Sequence, residues 1–301
     1  QLHTRDADGG AITQISVNAS HDRNPVVRPN GEIMFSRWEH VGPRNRFAVF
    51  RVKPDGTDMF VLYGAQSPGN SFLHPREMQN GKVITDLMPL SGTQEGGAMM
   101  VLDVQNYSEQ NTPANSHVPR NGGQQSATTT PLDFNSRNIS LNGRFTTPYP
   151  LWDGSNRVLV AFSPCQVTKN GLVVPCASLS ASELAGLTQE RLQAAIDADS
   201  VKDNAPPAYS IQMFDMTSQT SRTVVEAVPG VIVKDPVALL ARKEPNTLLV
   251  GTPTTPGSTP EMGTLSVRSV YDTDELGRMG SVVLSAGEQA DTPIPTIPKT
   301  D

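Results

Sequence analysis

The sequence predicts an all-β fold, a β-propeller of four-stranded blades, on three observations. A phrase made of a proline, a short polar turn and a run of β-formers returns four times. The composition is that of many short elements, and each copy of the phrase sits among further strand-like runs. The copies are PVVRPNGEIMFSRW at 25–38, PREMQNGKVITDLM at 75–88, PYPLWDGSNRVLVAFS at 148–163 and PVALLARKEPNTLLVGT at 236–252. In the first three a glycine follows the proline at one offset, as Gly31, Gly81 and Gly154, so the turn geometry is expected to repeat.

Each repeat offers strands. The first offers 25–28, 32–38, 47–52 and 59–63. The second offers 83–87 and 98–104, the third 158–162, 210–214 and 223–228, and the last 247–250, 265–271 and 281–284. Residues 1–16 match the second half of the following repeat, since Asp8-Gly9 and Asp55-Gly56 are both hairpin signals between two strands. The chain therefore holds about four and a half blades, part of a six- or seven-bladed ring. The missing strands lie in sequence not given or in another chain, or the C-terminal strand closes on the N-terminal half blade. Nothing about export can be read from a leader, because the sequence opens at Gln1.

Composition agrees and excludes some classes. The 301 residues include 25 prolines and 24 glycines, are 37% hydrophobic and 18% charged, and carry a formal net charge of −6. That balance lacks the basic face a phosphate backbone requires, so nucleic acid is not an expected partner. No apolar stretch approaches the roughly 20 residues of a transmembrane helix.

The spacing of the anchors locates the insertions. The intervals between Pro25, Pro75, Pro148 and Pro236 lengthen from 50 to 73 to 88 residues. The propeller domain is read as 1–291, with insertions at about 105–140 and 165–206 and an extended tail at 292–301. Residues 105–131 are rich in Asn, Gln, Ser, Thr and Pro, which predicts a long loop or an arm that orders on a partner. Residues 180–199 form the best helical stretch, with Leu184, Leu187, Leu192 and Ile196 on one face, and predict one or two short helices outside the sheets.

Cys165 and Cys176 flank VTKNGLVVP, whose Asn170-Gly171 pair is a hairpin turn. Strands folding back there bring the thiols within bridging reach, and a disulfide implies an oxidising compartment. Two free cysteines of a cytosolic protein are the alternative. A zinc site would need two more ligands, and no histidine lies nearby in sequence.

The phrases HDRNPVVRPNGEIMFSRWEH at 21–40, GRFTTPYPLWDGSNRVLVAFSPC at 143–165 and KDPVALLARKEP at 234–245 resemble the propeller region of hydrazine synthase alpha-subunit-like proteins. More distantly, the Asp-Gly hairpins resemble TolB-type propeller repeats. The resemblance runs over about 2–284 and omits the long inserts. It implies a bacterial, exported propeller of the kind often joined to c-type haem domains. This sequence has no Cys-x-x-Cys-His motif, so covalent haem and hydrazine-forming chemistry are carried over to no residue.

Candidate chemistry gathers in the first blade. His21 and Asp22 precede its entering strand, Glu39 and His40 follow its second, and His74 stands just before Pro75. Such a set near the channel could bind a divalent metal or an anionic ligand. Capping and pairing between blades account for the same residues without a ligand. Phosphate loops, nucleophile elbows and His-Glu-x-x-His pairs are absent, and the Asp-Gly turns lack the twelve-residue calcium pattern. Trp38, Trp152 and the methionines are expected to pack between blades.

Two functions from different classes follow. One is an extracytoplasmic, non-catalytic scaffold in the periplasm or at the cell exterior of a bacterium, binding other subunits, c-type cytochromes among them by the resemblance. The other is a ligand- or metal-binding propeller enzyme with its site at the channel mouth. The first is preferred, because the added residues form loops and a stapled hairpin.

Overall fold

In a computed structural model, residues 1–246 are described apart from 42–43, 67–69, 90–95, 114–117, 131, 133–140 and 186–204. The chain opens with a hairpin of β1 (His3–Arg5) and β2 (Ile12–Gln14), whose turn closes with Gly9 N donating to Asp6 O (2.9 Å). A four-stranded antiparallel meander follows: β3 (Asp22–Val27), β4 (Ile33–Val41), β5 (Arg44–Val52) and β6 (Phe60–Tyr63). The second meander is β7 (Asn70–Glu77), β8 (Val83–Pro89), β9 (Ala98–Leu102) and, after a small hairpin of β10 (Tyr107–Glu109) and β11 (Thr112–Pro113), β12 (Gln124–Ser126). The third is β13 (Arg144–Pro150), β14 (Arg157–Ser163), β17 (Ser210–Asp215) and β18 (Thr220–Val225). Between β14 and β17 the chain detours through β15 (Gln166–Lys169) and β16 (Leu172–Pro175). These meanders are β-propeller blades, each a small twisted sheet with the first strand innermost.

The residues that join blades are few and specific. One parallel bridge, Phe47 to Ser71, ties β5 to β7, and Gly97 exchanges two 2.9 Å backbone hydrogen bonds with Phe145 between the second and third blades. Apolar side chains complete the joints. One cluster runs from Met34, Val49 and Tyr63 through Phe72, Ile84, Met99 and Leu102 to Phe145, Val158 and Phe214, so three blades share it. Leu2 and Ile15 of the N-terminal hairpin pack on Phe35 and Val52, covering the other face of the first full blade. The expected packing role of methionine holds for Met34, Met78, Met99 and Met100, all buried. Trp152 is half-buried and joins two blades, its Nε1 donating to Glu77 O (3.0 Å).

Three expectations need correction. The glycine turn repeats in two copies and changes in the third. In the first two, Gly31 N and Gly81 N donate to Arg28 O and Met78 O (both 2.9 Å), and both glycines are left-handed (φ 89° and 78°), a conformation costly for other residues. In the third, the chain closes from Leu151 N to Arg157 O (2.9 Å), a longer loop in which Asn156 is also left-handed. Second, the segment 105–131 is not only a loop. It supplies β12, which pairs with β9 as the outermost strand, because Gln124 to Ser126 need only backbone groups to complete an edge. Third, the fourth copy has neither helix nor strand over its described part, 236–246. That stretch crosses from the third blade, where Tyr149 Oη donates to Ala238 O (3.4 Å), to the first, where Asn246 N donates to Pro29 O (2.9 Å). A single helical stretch at 181–185 opens the predicted helical region. The strands expected at 247–250, 265–271 and 281–284, the rest of that helix and the tail 292–301 lie outside the described residues.

Candidate functional site

The innermost strands carry a feature that repeats more faithfully than the turn. The residue before each repeat proline, Asn24, His74, Thr147 and Asp235, is left-handed, with φ of 54°, 50°, 52° and 57°. In the first three the strand register slips at that point, between Arg23 and Val26, Leu73 and Arg76, and Thr146 and Tyr149. Proline already bars its predecessor from the right-handed helical region, and a bulge absorbs the extra residue. Asn and His tolerate the left-handed region, whereas the β-branched Thr147 is strained there, by about 1 kcal/mol or more. Two of these places link neighbours: Asn24 Oδ1 accepts from His74 N (3.4 Å) between the first and second blades, and Thr147 Oγ1 accepts from Asp235 N (3.1 Å) of the strandless segment after the third.

Inside this arc lies a cavity of about 840 Å³, lined by Asp22, Asn24, Leu73, His74, Asp235 and residues of β1, among others. Its most chemically loaded member is His74. The imidazole Nδ1 lies 2.8 Å from Asp86 Oδ1, and Asp86 is fully buried and also accepts from Thr146 Oγ1 (3.3 Å). Burial by itself pushes the imidazole down. The charge and hydrogen bond of Asp86, aided by the Asp235 charge, outweigh it against Arg76, so the net shift is upward.

The other sequence candidates have structural employment. Asp22, which shares the cavity with His74, accepts from Ser16 Oγ (2.5 Å) and Asn18 Nδ2 (3.1 Å) and faces Arg37 (3.4 Å), and Ser16 Oγ in turn accepts from Leu2 N (2.7 Å). It therefore fastens the N-terminal hairpin to the first full blade. Glu39 pairs with Arg46 at 3.2 Å. His21 and His40 stack on Trp38, with ring centroids 5.4 and 4.9 Å away and planes within 5° and 6°, while Phe47 adds a third ring at 5.8 Å. The five residues thus divide among a channel pair, an ion pair and an aromatic stack. Among the described residues no three His, Cys, Asp or Glu side chains converge as metal ligands.

Cys165 and Cys176 are joined in a disulfide, with Cα atoms 5.4 Å apart across the β15–β16 hairpin. Its turn is the expected one, Asn170 and Gly171 both being left-handed (φ 51° and 77°).

No protein-family model matches the chain, and no curated protein does. Among solved structures it is similar to Kuenenia stuttgartiensis hydrazine synthase, with 17% identity over 72% of this chain and 21% of that one, at a TM-score of 0.42. It is also similar to puromycin hydrolase, with 10% identity over 75% of this chain and 24% of that one, at a TM-score of 0.36. The chain therefore spans well under two thirds of either, and what those proteins act on is not transferred to it. No helix among the described residues is long and apolar enough to cross a membrane.

Sequence reasoning missed Asp235, which lines the cavity, Asp86 and Thr146, which back His74, and Thr147, which holds Asp235. A signal existed for some of them. Asn24, Thr147 and Asp235 share the place of His74 before the repeat proline, and Asp86 interrupts the apolar run VITDLM. The pairing of Asp86 with His74 needed the register of β7 on β8.

Proposed function

We propose that this chain is an extracytoplasmic β-propeller that works as a non-catalytic, protein-binding subunit. One observation carries the reading: the stapled hairpin holds Leu172 and Val173 out to solvent, 69% and 51% exposed. A two-stranded hairpin standing off its sheet is marginal without help. The disulfide supplies that help at the base, and Lys169 beside the turn pairs with Glu183 of the helical stretch that follows. A rigid protrusion with an apolar tip loses little conformational freedom on docking, which favours a contact role. The dispersal of the five sequence candidates supports the same choice over a metal enzyme. The disulfide supports an oxidising compartment. The sequence resemblance supports redox proteins, c-type cytochromes included, as the partner class.

A photo-crosslinking residue at position 172, introduced in the organism that encodes the protein, should give one discrete protein adduct. The same residue at the equally exposed Ile12 (67%) should not. The adduct should weaken in a C165S/C176S variant. Equal yields at 172 and 12 would remove the case for a docking hairpin.

A further inference from the structure

A second cavity, of about 510 Å³, lies where the ends of β3, β7 and β13 meet the crossing segment 242–246. Its charges do not balance. Among the described lining residues, Arg28 is neutralised by Glu77 at 2.6 Å, which leaves Arg76, Arg242 and Lys243 facing Glu244.

Among the described residues two of these cations form no ion pair. The Arg76 guanidinium is largely buried, and its hydrogen bond goes to the neighbouring Pro75 O (3.0 Å). Arg242 lies over the rings of Tyr149 and Trp152, 4.9 and 5.7 Å from their centroids, and forms no ion pair among the described residues. Stacking fixes the plane of a guanidinium while leaving its edge donors free. Burial lowers the Arg76 pKa most, Asp235, Tyr149 and Asp86 pull it back up in part, and the Arg242 charge adds a smaller push downward. The largely buried Arg76 and the exposed, ring-stacked Arg242 thus present two cations to one cavity.

We infer that Arg76 and Arg242 form a binding site for a small oxyanionic group, a carboxylate or a phosphate, with Trp152 as its aromatic wall. Two guanidinium forks match such groups in geometry as well as charge. The site uses none of the five sequence candidates and none of the stapled hairpin, so it stands or falls separately from the protein-binding role.

The protein has two tryptophans, Trp38 and Trp152, and the site touches one of them. Titration of the intact protein with inorganic phosphate, and separately with benzoate, at constant ionic strength should give a saturable emission change with at least one. The change should persist in Trp38→Phe and vanish in Trp152→Phe. Arg242→Gln should weaken binding by about tenfold or more, as loss of a charged hydrogen bond does. Arg76→Gln should do the same if its circular dichroism stays native, and calorimetry gives a readout independent of Trp152. Phosphate-only or benzoate-only saturation identifies the preferred group. Absence of saturation with both, or unchanged affinity in Arg242→Gln, overturns the site.

Discussion

His74 shows how one side chain can be read two ways until its neighbours are known. As a lone histidine before a proline it is a candidate ligand, and in the folded chain it is the half-buried end of a hydrogen-bond chain into the buried Asp86 and Thr146. Its raised pKa has a stability consequence with a definite sign. The folded form binds the proton more tightly than the unfolded chain, whose value is near 6.5, so the contribution is complete below that pH. It is lost as pH rises through the higher folded value. Urea denaturation across pH 5 to 9, ranges of the usual His titration, should show stability falling from about pH 6.5 upward, and His74→Asn should flatten that slope. Asn keeps the left-handed backbone that Asn24 adopts at the equivalent place, so the variant isolates the charge. A slope unchanged in His74→Asn would assign the pH dependence elsewhere.

Among the elements, the joints between blades are the sensitive places. Gly97 opens the approach to β9 where the second blade meets the third, and a Cβ there would lie 2.0 Å from Leu87 O. No rotamer relieves a clash with backbone, and moving the glycine away breaks its pair of bonds to Phe145. Gly97→Ala should therefore lower unfolding free energy by about 3 kcal/mol in denaturant titrations, at the upper end for overpacking. A midpoint within error of the parent would mean that this joint yields easily. None of this is visible in the sequence, where Gly96-Gly97 reads as one more loop pair. The opposite holds for the stapled hairpin. Its two cysteines and its Asn-Gly turn are local, so the hairpin was legible, and the structure chose the disulfide over free cysteines.

At the scale of the molecule, the blades are not independent units. The cluster from Met34 to Phe214 passes through three of them, so none keeps its apolar faces covered if a neighbour opens. Trp38 on the first full blade and Trp152 beside the third should report the same unfolding midpoint when each is measured alone in the other's Phe variant. Separate midpoints would show that the shared cluster does not couple them. The sequence alone determined the blade, because a blade is local: strand periodicity, Asp-Gly and Asn-Gly turns and proline anchors act within about fifty residues. It also pointed to the disulfide, whose partners flank one turn, and the structure forms it. Tertiary structure decided everything that depends on which blades face each other. It left Asp22 and His74 on one cavity. It gave β9 an edge strand from a segment whose composition reads as loop. It also brought Arg242 from the crossing segment to Arg76 on β7. Those pairings are set by register and packing between stretches far apart in the chain, and no local pattern of residues encodes their distance.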